Sequence, residues 1–177
     1  MRFALMVFEA IRQRVGDRFI VGIRTTVHEG GDGLHRDEAR QVADRLERSG
    51  LIDFFNLVYG RLDSTRAMVE ENMPGIAFPI APFLEEVSRF RQGRRPPVFY
   101  AARITDVSSA RDAIRDGLLD MVGMTRAHIT DPHIVRKIER GEEDRIRPCV
   151  GATYCMSPRS VCIHNAATGR EARRSGS

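Results

Sequence analysis

The sequence predicts an α/β fold on a parallel sheet, and two observations carry that expectation. Segments with helical period alternate with short apolar runs along the whole chain. One turn also recurs, since Ser49-Gly50-Leu51-Ile52-Asp53 returns as Asp116-Gly117-Leu118-Leu119-Asp120. Repeated helix-to-strand units sharing a turn imply parallel strands with right-handed crossovers. The count is four strands, half of an eight-stranded barrel.

Residues 2–15 place Phe3, Leu5, Met6, Phe8, Ile11 and Val15 on a helical stripe that ends near Gly16. Residues 19–23, FIVGI, read as a strand ending in Arg24-Thr25-Thr26, and the glycine-rich stretch from His28 to Leu34 reads as a loop. Residues 36–49 return to helical period through Ala39, Val42, Ala43 and Leu46, with Gly50 as the stop. Residues 52–58 read as a strand closed by Tyr59-Gly60. The connection over 61–81 is predicted to be irregular because of Pro74, Gly75 and Pro79. Connections of that length in a compact domain usually form lids or binding segments. A helix over 83–90 and a strand over 97–101 follow. A helix over 107–115 comes next, with Thr105 or Asp106 as its N-cap, then a buried strand over 118–123 and a last helix.

With 177 residues, one domain able to bury its own core is expected. No 18-residue apolar run exists, so no membrane span is expected. Glu9, Arg12 and Arg14 interrupt the first apolar stretch, which argues against a secretory leader and for a cytoplasmic, reducing compartment. The formal charge is +4 and the pI about 9.4. The basic residues are nearly all arginines, Lys137 being the single lysine, and they are interleaved with Asp and Glu. That is the pattern of solvated helix faces, so no nucleic acid partner is expected.

The chemistry gathers between Leu118 and Cys162. Arg126 comes just past a strand's carboxyl end, where α/β folds place ligands, and its guanidinium fork suits a phosphate. Pairing with a surface carboxylate is the plain alternative. Asp120, Arg126, Asp131-Pro132, Lys137 and Ile146-Arg147-Pro148-Cys149 together form a long signature. It resembles the end of the flavin barrel in the Old Yellow Enzyme superfamily, in the branch of trimethylamine dehydrogenase, 2,4-dienoyl-CoA reductase and N-methylproline demethylases. The resemblance runs from about Phe3 to Glu171.

It implies the C-terminal half of a TIM (β/α)8 barrel over residues 1–147 and a cysteine-containing, iron–sulfur-type extension and tail over 148–177. It implies FMN as cofactor, with Arg24 at the flavin's pyrimidine edge and Ala102-Arg103 and Thr125-Arg126 at its phosphate. The family has Gly-Arg pairs at the last two positions, where glycine lets the backbone approach the phosphate without a Cβ; this chain loses both glycines. It also implies oxidoreductase activity on amines, such as N-methylated substrates, or on enoyl compounds. The first four strands, and the FAD- and NAD(P)-binding regions of longer members, would lie outside this chain. A fragment of a longer enzyme is therefore expected, assembling with the remainder of that enzyme or as a homo-oligomer, since a free half-barrel exposes sheet edges. No general acid or base is assigned; His28 and Tyr59 follow strand ends but read equally as surface or packing residues.

The iron–sulfur branch binds a 4Fe–4S cluster through four cysteines. Here Cys149, Cys155 and Cys162 match, Ala152 stands at the second ligand position, and the last interval is short. His164 is the candidate fourth ligand. A zinc site of three cysteines and one histidine, or cysteines without metal, remain open. The alternative to an enzyme is a non-catalytic barrel remnant that binds phosphate-bearing ligands or associates with other chains.

Overall fold

The apolar runs pair edge to edge into one sheet. The structure is a computed structural model, and it describes residues 1–156 and 161–168. In chain order it contains α1 (Arg2–Val15), β1 (Gly22–Thr26), α2 (Arg36–Ser49), β2 (Phe54–Val58), a single turn α3 (Thr65–Ala67) running into a π turn (Met68–Asn72), and α4 (Leu84–Arg91). Then come β3 (Val98–Tyr100), α5 (Val107–Arg115), β4 (Met121–Val122), α6 (Thr125–Thr130) and α7 (Ile134–Glu139). Strand order is β1-β2-β3-β4, and every pairing is parallel. Each strand lies beside the next in sequence, as in a barrel wall.

The two sheet faces differ in chemistry because side chains alternate along each strand. Phe55, Leu57, Val98 and Tyr100 point to the helices and are fully buried with Leu46, Val87, Phe90 and Ala113. The opposite face carries Gly22, Arg24, Phe54, Asn56, Phe99 and Met121, in register Gly22 with Phe54, Arg24 with Asn56, and Phe99 with Met121. On it Phe54 and Phe99 stack with centroids 4.8 Å apart, and the Phe54 ring fills the space above Gly22, whose added Cβ would meet it at 2.3 Å. Arg24 and Met121 are exposed there.

The recurring turn has a mechanical reason. Gly50 and Gly117 close α2 and α5 with left-handed φ of 66° and 68°. Asp53 then accepts from the backbone N–H of Val21 (2.7 Å) and from Arg12 of α1 (2.6 Å). Asp120 does the same one repeat on, accepting from Val98 N–H (2.8 Å) and from both ends of the Arg91 fork of α4 (2.6 and 3.0 Å). In each case the aspartate ties the start of its strand to the preceding strand and to the helix before that one. These bonds hold both carboxyls below the ordinary carboxylate range against the opposing effect of burial.

Several expected boundaries move. The first strand begins at Gly22, leaving Phe19 and Ile20 60% and 73% exposed, so Arg24 lies inside β1 and not past its end. The 61–81 connection is partly helical, because Ser64 caps a turn by accepting from Ala67 N–H (3.1 Å). The last helix is two, split at Asp131-Pro132. Residues 157–160 and 169–177 of the expected extension lie outside the described residues.

Candidate functional site

The loops at the carboxyl ends of β3 and β4 bring two guanidinium groups side by side. Arg103 follows β3 with a left-handed φ of 51°, and Arg126 lies in the first turn of α6. Arg103 Nε donates to the Pro79 carbonyl (3.0 Å), and Arg126 Nη1 donates to the Pro74 carbonyl (3.0 Å). The proline-rich connection after β2 thus supplies the carbonyl acceptors that fix both cations. Burial pulls the Arg126 pKa down, and the neighbouring Arg103 pulls it the same way, while the Cys149 and Cys155 thiols oppose. Arg103 Nη1 is buried with no hydrogen-bond partner among the described residues. It lies over Gly151, whose added Cβ would meet it at 2.0 Å, so only glycine admits the guanidinium there.

Two adjacent cations, one half-desolvated and one with a donor unpartnered among the described residues, have the chemistry to take an anion. A phosphate would satisfy the free N–H groups and offset the like-charge repulsion. Ala102 is buried in the core beside this site, and Thr125 is exposed as the first residue of α6. Arg24 stands apart, two strands from β3 and so about 10 Å away by strand spacing.

The segment after α6 closes the site from below, held by one carboxylate. Asp131 is fully buried and accepts from Lys137 Nζ (2.5 Å), from Arg147 N–H (3.0 Å) and from His133 N–H (3.1 Å). These bonds hold its pKa at about 2 although burial opposes them. Asp-Pro, Lys and Ile-Arg-Pro-Cys are therefore one packing device that delivers Cys149 to the floor of the site.

Cys149, Cys155 and Cys162 line one small cavity with Arg126, Thr130 and His164. Burial pushes the Cys155 thiol up, Arg126 lowers it, and Cys149 and Cys162 add to the rise. The expected ligand set does not become a metal centre. Among the described residues, no group of three or more His, Cys, Asp or Glu converges closely enough to hold a metal ion. Cys162 Sγ lies 3.5 Å from Thr130 Oγ1, and the His164 carbonyl accepts from Arg147 (3.4 Å) while its side chain is exposed. With three cysteines in the chain and Ala152 at the second position, the residues do not fit a 4Fe–4S cluster, which wants four thiolates.

A second cluster sits at the ends of β1 and β2, and its partners were not legible beforehand. His28 and Tyr59 lie with ring centroids 5.9 Å apart, and Tyr59 stacks on Phe83 at 4.0 Å. Arg36 forks onto Glu86 beside them (2.6 and 2.9 Å). Burial, then Arg36 and His35, hold the His28 pKa below its ordinary 6.5, and burial raises that of Tyr59. His28 Nδ1 is buried without a partner among the described residues.

Residues 1–145 match the model of the NADH:flavin oxidoreductase / NADH oxidase family. The chain is 49% identical over 170 residues to a multifunctional alkene reductase/demethylase from Caballeronia cordobensis, covering 96% of this chain and 25% of that protein. It is 40% identical over 177 residues to an N,N-dimethylglycine/sarcosine dehydrogenase from Chromohalobacter salexigens, covering 97% and 25%. Its fold superposes on the crystal structure of histamine dehydrogenase from Rhizobium sp. 4-9 with a TM-score of 0.82 and 27% identity, over 96% of this chain and 24% of that one. The chain thus spans about a quarter of the length of these relatives. Among the described residues, no helix is long and apolar enough to cross a membrane.

Proposed function

The chain belongs to the NADH:flavin oxidoreductase / NADH oxidase family, and from that premise we propose that it forms the phosphate-binding half of an FMN site in an oxidoreductase acting on N-methylated amines or activated alkenes. In this reading it works in the cytoplasm as part of a longer enzyme. Residues 1–147 form the barrel portion, and residues from 148 onward form the extension beneath the site. The observation that carries the proposal is the Arg103–Arg126 pair, with its buried, unpartnered Nη1 over Gly151. The relatives named for demethylation, alkene reduction and dimethylglycine/sarcosine oxidation support the substrate class.

When bound, FMN supplies the hydride and electron chemistry, and the protein supplies position and charge. Arg103 and Arg126 would hold the phosphate, each following a residue, Ala102 or Thr125, at the start of its loop or helix. Arg24, exposed on the same sheet face as Phe54 and Phe99, would lend a positive charge to the ring end of such a ligand. His28, its pKa held below the ordinary 6.5, is neutral near pH 7 and offers one hydrogen-bond donor and one acceptor. No electron path is routed through the cysteines.

The test compares FMN with riboflavin, which lacks the phosphate, by flavin fluorescence titration. The protein should bind FMN more tightly. Arg126→Ala and Arg103→Ala should each cost about 10- to 100-fold in FMN affinity, the worth of a charge-assisted hydrogen bond, and leave riboflavin binding unchanged. Equal affinity of the unaltered protein for both flavins would overturn the assignment.

A further inference from the structure

We propose that the gap between the carboxyl half of α2 and the loop after α4 is a second anion site, which takes a compact polyanion such as pyrophosphate or a polycarboxylate. It is a cavity of about 520 Å³ walled by Arg40, Asp44, Glu47 and Arg48 on one side and, with Gln92 and Gly93, by Arg94 and Arg95 on the other. The four α2 residues share one helix face, because successive steps of four, three and one residues return to the same side. Arg95 precedes β3 and Arg103 follows it, so this cavity and the Arg103–Arg126 pair lie at opposite ends of one strand.

Arg94 fixes the geometry and occupies the acids. Its side chain is 4% exposed, and its guanidinium carbon lies 5.0 Å from the centroid of the Phe90 ring. It donates to Asp44, to Glu47 (3.3 Å) and to the Arg40 carbonyl (3.3 Å), while its Nε is buried with no partner among the described residues. Glu47 also accepts from Arg95 N–H (3.1 Å), so both carboxylates are turned to the buried arginine and to the loop backbone. Arg40 donates to the Arg89 carbonyl (2.7 Å). The exposed side chains of Arg48 and Arg95 make no hydrogen bond or ion pair among the described residues. Three guanidiniums on the cavity wall therefore have no carboxylate of their own.

Four arginines against two acids leave a surplus of two positive charges. The carboxyl ends of α2 and α4 lie here and oppose an anion by about half a charge each, so a surplus of about one remains. The lining includes no aromatic or aliphatic side chain, which disfavours a ligand with an apolar body and selects one that is charged throughout. Arginine forks match the paired oxygens of phosphate and carboxylate alike. A polyanion bridging Arg48 and Arg95 would join α2 to the entry of β3 and stabilise the folded chain.

The test uses the whole chain carrying Arg103→Ala and Arg126→Ala, which removes the other pair of cations. Sodium pyrophosphate and sodium citrate are titrated by isothermal calorimetry at a constant ionic strength of about 0.15 M. One equivalent should bind, and Tm should rise with ligand concentration. Arg48→Gln and Arg95→Gln, at exposed positions outside the core, should each weaken binding about 3- to 10-fold with an unchanged circular dichroism spectrum, the worth of a charge-assisted bond discounted for exposure. Arg45→Gln, exposed on α2 but outside the cavity, should change affinity by no more than about twofold. The tighter probe identifies phosphate or carboxylate as the ligand chemistry. In the unaltered chain, Arg48→Gln and Arg95→Gln should weaken one of the bound equivalents, which keeps the test decisive if the Arg103 and Arg126 changes unfold the protein. No binding of either probe, or binding that the Arg48 and Arg95 variants leave unchanged, would overturn the proposal. The FMN and riboflavin titrations read the other site, so either reading can fail without the other.

Discussion

Asp131→Asn should cost about 2 kcal/mol of stability at neutral pH, and the cost should vanish in acid. The carboxylate is fully buried and accepts from Lys137, Arg147 N–H and His133 N–H, which hold its pKa at about 2 against an ordinary 3.8. Because the folded value is the lower one, protonation favours the unfolded chain. The stabilisation is fully present above pH 3.8 and is lost as pH falls through about 2. A gap of nearly two pH units, at about 1.4 kcal/mol each, gives the figure of about 2 kcal/mol. For a chain of this size that corresponds to a fall in Tm of about 4–8 °C. The asparagine, like the protonated aspartate, keeps one acceptor oxygen, so it retains one of the two backbone bonds, which lie on different carboxylate oxygens, and removes the charge at nearly unchanged shape. Thermal unfolding followed by circular dichroism from pH 7 downward should show the two proteins converging in acid. A gap that stays constant down to pH 2, or none at pH 7, would refute the claim that charge at Asp131 fastens α7 and the 145–149 segment.

Two further substitutions test the sheet. Tyr100 is 1% exposed, its hydroxyl has no partner among the described residues, and burial pushes its pKa well up. Tyr100→Phe should therefore raise stability by up to about 1 kcal/mol in urea unfolding, and a loss of that size would mean the hydroxyl is satisfied. Gly22→Val should displace the Phe54 ring that occupies the Cβ position and break the Phe54–Phe99 stack, costing about 1–3 kcal/mol of overpacking by the same assay. An unchanged urea midpoint would show that the inner-face ring moves freely.

The four parallel strands and their order were legible because each carries a run whose alternate residues bury against a helix with its own period. Leu57 and Ala43 need no partner beyond apolar surface, so pattern sufficed. The start of β1 was misread for the same reason. Phe19 and Ile20 look like core in sequence, but ladder pairing with β2 begins only at Gly22, and nothing local marks that register. The arginines past β3 and β4 could be found because strand ends are where ligands sit. Their acceptors on Pro74 and Pro79 could not, since those contacts close over 52 and 24 residues through backbone carbonyls that any sequence possesses. The cysteines could be counted but not placed, because that they line one cavity depends on contacts with α6 that spacing does not encode.

The two lost glycines weigh less on phosphate binding than the sequence suggests. Glycine is needed where a Cβ would stand between backbone and ligand. Ala102, however, is buried in the hydrophobic core. The conformational demand falls instead on Arg103, which takes a left-handed φ at a cost on the order of 1–2 kcal/mol. An arginine is held there only because the Ala81 N–H bonds to the Arg103 carbonyl (3.1 Å) and the guanidinium is gripped by Pro79. Replacing Arg103 by glycine would relieve that strain and lose the cation. A phosphate at the buried, unpaired Nη1 would recover the desolvation cost of that nitrogen, and its binding energy would offset the strain that stays in the backbone.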